Sequence, residues 1–339
     1  MKFEKFLGCL VGAAAGDALG APTETRTREQ IEKRFGGYVN TFLEPPNDVF
    51  ARGNKPGQVT DDFGLAYEAC CEIIKNGGEI SESVIISSLL NWAKDEKHFE
   101  QFVGPTSRSS IYKLRGEPFK EKYNFPLIND NEKATNGSAM KISPIALFSN
   151  GNVKKAINDS IIVSSPSHDN NISMSATAAV AAATAIALNE NSSIYEILLS
   201  AIKVAEEVDD YAKIHYQTLA GPSVSKKIKL AIEIAQKSDT FDEVLTNISD
   251  IIGTGAAAYE SVPAAFGIIA AANGDTLKAI FGAVNIGCDT DSIATIVGGI
   301  MGAMNGINSF PNDYLRIIDE SNGYNLSKLA KDIIDLTNK

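Results

Sequence analysis

An all-α fold is predicted for this 339-residue chain by two features of its sequence. Apolar residues recur at helical spacing in window after window, while period-two alternation is almost never sustained. Alanine and glycine are plentiful through long periodic runs, which favours helices packed closely together. The hydrophobic fraction of 44% is ample for one large core. No stretch resembles a flexible interdomain linker or a fixed-period repeat, so one helical domain over residues 1–339 is expected.

The first helix is expected at residues 3–19, where small and apolar residues follow Lys2 and Lys5. The second covers 58–75 and is stopped by Asn76-Gly77-Gly78; Ser81, followed by Val84 and Ile85, opens the third over 81–94. Helical spacing returns at 138–148, at 173–188 and, behind Ser192-Ser193, at 194–208. Later helices are expected at 224–236, 241–251, 259–272, 276–285, 292–305 and 326–336. Two connections are long. Residues 25–58 carry Gly36-Gly37, Pro45-Pro46, Gly53, Pro56 and Gly57, and residues 102–136 carry Gly104-Pro105, Pro118 and Pro126. Irregular stretches of that length are uncommon inside a helical domain unless they are functional.

Charge and cysteine usage narrow the partners. A formal net charge of −11 argues against broad binding to nucleic acid or to an anionic membrane surface. An anionic ligand would need a bound cation or helix N-termini to be welcome. Cys9, Cys70, Cys71 and Cys288 include no C-x-x-C pair, so they read as free thiols of a reducing cytoplasm. The start of the chain faintly resembles an export signal, but only Phe6 and Leu7 separate Lys5 from Gly8, too few for an apolar signal core. The apolar run at 176–188 has core-helix rather than membrane-spanning length. A cytoplasmic protein, monomeric and acting without membrane or nucleic acid, is expected.

Two acid clusters stand out. Thr60-Asp61-Asp62 lies where a loop meets a predicted helix, and reads either as a capped helix start favoured by the helix dipole or as a ligand group. Asp289-Thr290-Asp291-Ser292 precedes a helix so rich in small residues that it should be deeply packed. Aspartate is rarely buried without a partner, and no lysine or arginine lies near the second cluster in sequence. Together they ask for a common partner, and Asp, Thr and Ser oxygens suit Mg²⁺ or Mn²⁺. Asn136-Gly137-Ser138-Ala139-Met140, at another predicted helix start, is either an ordinary turn or one that presents backbone N–H groups to a phosphate.

These residues, with others, resemble the ADP-ribosylglycohydrolase family. The resemblance is carried by GCLVGAAAGDALGAPTE at 8–24, VTDD at 59–62, TNGSAMKISP at 135–144, ESVPA at 260–264 and VNIGCDTDSIATIVGGIMG at 284–302. The blocks follow the family's order over nearly the whole chain. The resemblance implies an orthogonal all-α bundle with a central binuclear metal site. Thr60, Asp61, Asp62, Asp289, Asp291 and Ser292 would be ligands of two Mg²⁺ ions, for which Mn²⁺ can substitute, with Asp291 bridging both. Glu24, Asp62 and Asp291 would be catalytic, Glu24 near the scissile bond. Asn136, Gly137, Ser138, Ala139 and Met140 would line the ADP-ribose pocket, with His168 in support and Asp17 satisfying buried backbone groups nearby. Serine stands at 292 where threonine is commoner, Cys288 where glycine or arginine is usual, and Asn170 where many members have a second histidine.

The implied activity is hydrolysis of a ribosyl N- or O-glycosidic bond in an ADP-ribosylated protein or small molecule. Such a reaction passes through an oxocarbenium-like state, which needs an activated water and stabilisation of developing charge. Alternatives are an N-ribohydrolase acting on a simpler nucleoside and a non-catalytic member like the J1-type crystallins. Family members that act on ADP-ribosyl-arginine often carry an aspartate where this chain has Phe102, which predicts a neutral or planar leaving group here.

Overall fold

The computed structural model describes residues 2–118 and 130–338. Among them are seventeen α-helices and no strand, only isolated bridges joining Thr135 to Ala257 and Asn170 to Gln217. In chain order the helices are α1 (Lys2–Gly20), α2 (Arg28–Phe35), α3 (Asp61–Lys75), α4 (Glu82–Trp92), α5 (Glu96–Phe102) and α6 (Pro105–Arg115). The middle of the chain forms α7 (Ile142–Ala146), α8 (Val153–Ser164), α9 (Asn171–Leu188), α10 (Ile194–His215), α11 (Val224–Lys237) and α12 (Phe241–Asn247). It closes with α13 (Ala258–Ala272), α14 (Thr276–Val284), α15 (Thr290–Asn305), α16 (Tyr314–Asn322) and α17 (Leu326–Thr337).

The axis of the fold is the antiparallel pair α1 and α15. Glycines at 8, 12, 16 and 20 put one bare backbone face on α1, and Ala294, Gly298 and Gly302 do the same on α15. A Cβ on Gly12 would lie 2.1 Å from the Gly298 carbonyl oxygen, and one on Gly16 would lie 2.0 Å from that of Ala294. No side chain other than hydrogen fits between backbones this close. The same stripe carries Gly20 against the backbone of Asp291, so the end of α1 meets the start of α15. Around this pair pack α9, α13 and α14. The apolar run at 176–188 lies in α9, which is buried along nearly its whole length by its neighbours.

Several expected bounds shift. Residues 138–148 do not form one helix: a turn leads into the short α7, followed by a 3₁₀ turn at Leu147–Ser149. The helix expected at 241–251 is α12 followed by a π turn at Ile248–Ile252, and α10 runs on to His215. The expected irregular stretches contain α2 and α6, and α5, α8 and α16 were not expected. In α2 only Ile31 is buried, so there is no apolar stripe to detect. A capping box between Thr27 and Gln30 and a left-handed Gly36 (φ 73°) hold it instead. Pro126 lies outside the described residues.

Candidate active site

Asp17, one turn before the end of α1, is wholly buried and fixes the start of α3. Its Oδ1 accepts hydrogen bonds from the Thr60 N–H and hydroxyl, both at 2.9 Å, and its Oδ2 accepts the Phe63 N–H at 2.9 Å. A carboxylate from another helix thus satisfies N–H groups that the first turn of α3 leaves without intrahelical partners. This is the backbone-satisfying role expected of Asp17. It leaves the side chains of Asp61 and Asp62 to face a cavity.

The second cluster is set by a sharp turn. Gly287 and Cys288 both have left-handed backbones, with φ of 97° and 63°. The Cys288 N–H donates to the Arg26 carbonyl (2.8 Å), and the Cys288 carbonyl accepts the Thr25 N–H (2.7 Å). The turn is thereby pinned beside Glu24, and the thiol is left exposed. The Asp289 N–H donates to Thr254, and its carboxylate accepts the Asn136 amide at 2.6 Å. Asp291 accepts the N–H of Ser292, whose hydroxyl reaches the Met140 sulfur at 3.7 Å. Thr290, which no expectation singled out, donates to the Gly20 carbonyl and locks α15 to α1.

One carboxylate oxygen each of Glu24, Asp289 and Asp291 lie within 4.8 Å of one another. Burial shifts the whole group upward, and repulsion from Asp291 adds to it for the others. Asp291 is pushed up to about 6, Asp289 to about 8 and Glu24 to about 11, while Asp61 and Asp62 rise well above the usual carboxylate range. Asp17 rises to about 7, desolvation outweighing its three hydrogen bonds. Glu24 Oε2 and Asp62 Oδ1 are buried without a hydrogen-bond partner among the described residues. Oxygen-only donors, orphaned buried carboxylate oxygens and strong mutual repulsion fit hard divalent cations and do not suit a soft metal.

The two clusters, 227 residues apart between Asp62 and Asp289, line one cavity of about 300 Å³. Glu24, Thr60, Asp61, Asp62, Asn136, Gly137, Met140, Asp289, Asp291 and Ser292 all face it. Three expected residues do not. The Ser138 hydroxyl is paired with that of Thr177 (2.6 Å), Ala139 is fully buried, and the N–H groups of Ala139 and Met140 close the turn on the Asn136 carbonyl. His168 sits behind the wall, between the Ser167 hydroxyl (2.7 Å) and the Thr135 hydroxyl (3.1 Å). A Cβ on Gly137 would come 2.7 Å from its Nε2, so the ring buttresses that turn. Burial pushes its imidazole down to about 3, which keeps it neutral. Asn170 caps α9 through the Ser173 N–H.

The opposite wall was largely illegible in sequence. It comprises Phe50, the end of α5 and the first turn of α6, including Phe102, Val103 and Pro105. Phe102 packs on Ala21, Val49 and Ala51, while Glu100 is held by Arg108 at 2.7 Å. Lys141, also overlooked, lies fully buried behind Met140 (2% exposed); a lysine inside an apolar stretch was the available signal.

Comparison with known proteins identifies the family and the fold. The family model described as ADP-ribosylglycohydrolase matches residues 1–339. The chain is 28% identical to the Escherichia coli (strain K12) protein YegU over 97% of its own length and 96% of that protein's. It is 23% identical to the Bos taurus ADP-ribosylhydrolase ARH3, covering 91% of this chain and 87% of the other. A solved structure of an ADP-ribosylglycohydrolase-related protein complex superposes with a TM-score of 0.68, at 18% identity and 99% coverage of each chain.

Proposed function

The chain belongs to the ADP-ribosylglycohydrolase family, and we propose that it hydrolyses the bond between the ribose of an ADP-ribosylated substrate and its aglycone, with two divalent cations held by the acid cluster. The observation that carries this reading is the meeting of Thr60-Asp61-Asp62 and Asp289–Ser292 in one cavity beside Glu24. Thr60, Asp61 and Asp62 would hold Mg²⁺ or Mn²⁺ from the start of α3, and Asp289, Asp291 and Ser292 from the start of α15, with Asp291 shared. Bound there, such ions bind ribose hydroxyls and lower the pKa of water.

The protein's own groups do the rest. Glu24 turns an unpartnered oxygen into the site; once the charge of the cluster is offset it is ionised and takes the proton of the attacking water. The water oxygen bonds to the anomeric carbon while the glycosidic bond breaks. Its electron pair leaves with the aglycone, which picks up a proton, and ADP-ribose is released. Asn136 holds Asp289 in place through its amide, and Asp17 holds Asp61 and Asp62 through the start of α3. The aromatic wall of Phe50 and Phe102 shields the leaving-group side from water.

A second reading keeps site and chemistry but shortens the substrate to a nucleoside. A cavity of about 300 Å³, at the small end of ligand pockets, favours it. One panel tests both: ADP-ribosylated peptides, O-linked ADP-ribose derivatives and nucleosides, each assayed with Mg²⁺ and with chelator. Release of ADP-ribose that disappears in chelator is expected. Full activity in excess chelator sinks the cation mechanism, and turnover confined to nucleosides replaces the first reading by the second.

A further inference from the structure

Behind the acid cluster lies a cation that pairs with none of the described residues. Lys141 follows Met140, whose sulfur meets the Ser292 hydroxyl, and immediately precedes α7, which packs on both α3 and α15. Its side chain is 2% exposed, and its Nζ makes no hydrogen bond among the described residues. An ammonium has three donors and is expensive to bury, so a lysine serving only as apolar filler would be better replaced by methionine or leucine. The cluster in front of it gathers Asp17, Glu24, Asp61, Asp62, Asp289 and Asp291. Among the described residues, no lysine or arginine forms an ion pair with any of these six carboxylates. Desolvation draws the Lys141 ammonium down to about 8 while Asp61 pulls it back up, and the same positive charge adds to burial in keeping His168 neutral.

Building on the cation reading above, we infer that Lys141 is a built-in counter-charge of the acid cluster, stabilising the carboxylates when no divalent cation is bound and weakening cation binding when one arrives. It is a positioning residue, acting through Asp61 and its neighbours rather than on substrate. A fixed charge at the back of a desolvated site is screened far less than one in water, so its effect reaches the cluster without contact. The cost is lower cation affinity, and the gain is a site that keeps its shape while empty.

The full-length protein tests this with two readouts besides turnover. Melting temperature is measured in chelator and in saturating Mg²⁺, and the Mg²⁺ and Mn²⁺ dissociation constants by calorimetry, for wild type, Lys141→Met, Lys141→Gln and Lys141→Arg. Lys141→Met and Lys141→Gln are expected to melt lower in chelator than in Mg²⁺, relative to wild type, and to bind Mg²⁺ on the order of 10-fold more tightly. Lys141→Arg, which keeps the charge, should restore wild-type affinity. Should Lys141→Met fail to fold, the glutamine variant carries both readouts, and the double variant Lys141→Met/Asp61→Asn carries the melting temperature in chelator alone, the second change offsetting part of the loss. Equal loss of melting temperature in both states with unchanged dissociation constants overturns this inference alone. A wild type that takes up neither ion overturns the two-cation reading and this inference with it.

Discussion

Asp291 lies at the electrostatic centre of the site, since it raises Glu24, Asp61, Asp62, Asp17 and Asp289. Replacing it with asparagine removes a ligand of the proposed cations and the strongest source of repulsion together. Asp291→Asn is therefore expected to fold, to melt no lower than wild type in chelator, and to lose roughly 100-fold or more in turnover. A variant that melts well below wild type in chelator would show that Asp291 is held mainly for structure. Phe102 carries a second prediction. Its ring lines the cavity and offers no acceptor to a guanidinium, and the nearby Glu100 is already engaged by Arg108. ADP-ribosyl-arginine should be a poor substrate beside O-linked ADP-ribose or a nucleoside, by about 1–3 kcal/mol in kcat/KM. Phe102→Asp should narrow that gap, and an arginine adduct hydrolysed fastest of all would refute the assignment.

At the level of helices, the site depends on how closely α1 and α15 approach. A methyl group on Gly16 would lie 2.0 Å from the Ala294 carbonyl oxygen and 2.3 Å from its carbon, and backbone cannot swing aside as a side chain does. Gly16→Ala is expected to cost about 3 kcal/mol of stability. It should also weaken Mg²⁺ binding, because α15 carries Asp291 one helical turn from that contact. Gly104→Ala is the control: nothing lies within 4 Å of its Cβ position and its φ is −66°, so denaturant unfolding should barely change. Equal midpoints for the two variants would mean that the helix pair tolerates separation. Asp17 works at the same scale, tying α1 to α3 through three hydrogen bonds and so setting where Asp61 and Asp62 begin.

For the molecule as a whole, the buried acids couple folding to pH. Asp291, Asp17 and Asp289 have folded-state values of about 6, 7 and 8, all above those of unfolded aspartate. The folded state therefore binds more protons than the unfolded state between about pH 4 and about pH 8, and stability falls as pH rises through that window. In chelator the melting temperature should drop from about pH 5 to about pH 8. Saturating Mg²⁺ should raise the whole curve and flatten it, because cations replace protons as counter-charge. A chelated protein that grows more stable across that range would show that the acids are compensated from within.

Most of the longer helices and the two acid clusters were legible in the sequence because both are local. Apolar spacing, the glycine stop after α3 and the runs Thr60–Asp62 and Asp289–Ser292 are written within a few neighbouring residues. Short charged α2 escaped because its stability comes from a capping box and from packing rather than from an apolar stripe. Which groups meet was decided only by the tertiary structure. Asp17 reaches Thr60 across 43 residues, and Gly16 touches Ala294 across the chain. Ser138, Ala139 and His168 face away from the cavity because the side of a turn that sees solvent is chosen by the helices packed behind it. Lys141 and Phe50 gain their meaning in the same way: burial and electrostatic field are sums over neighbours brought in from distant parts of the chain, and no local pattern contains them.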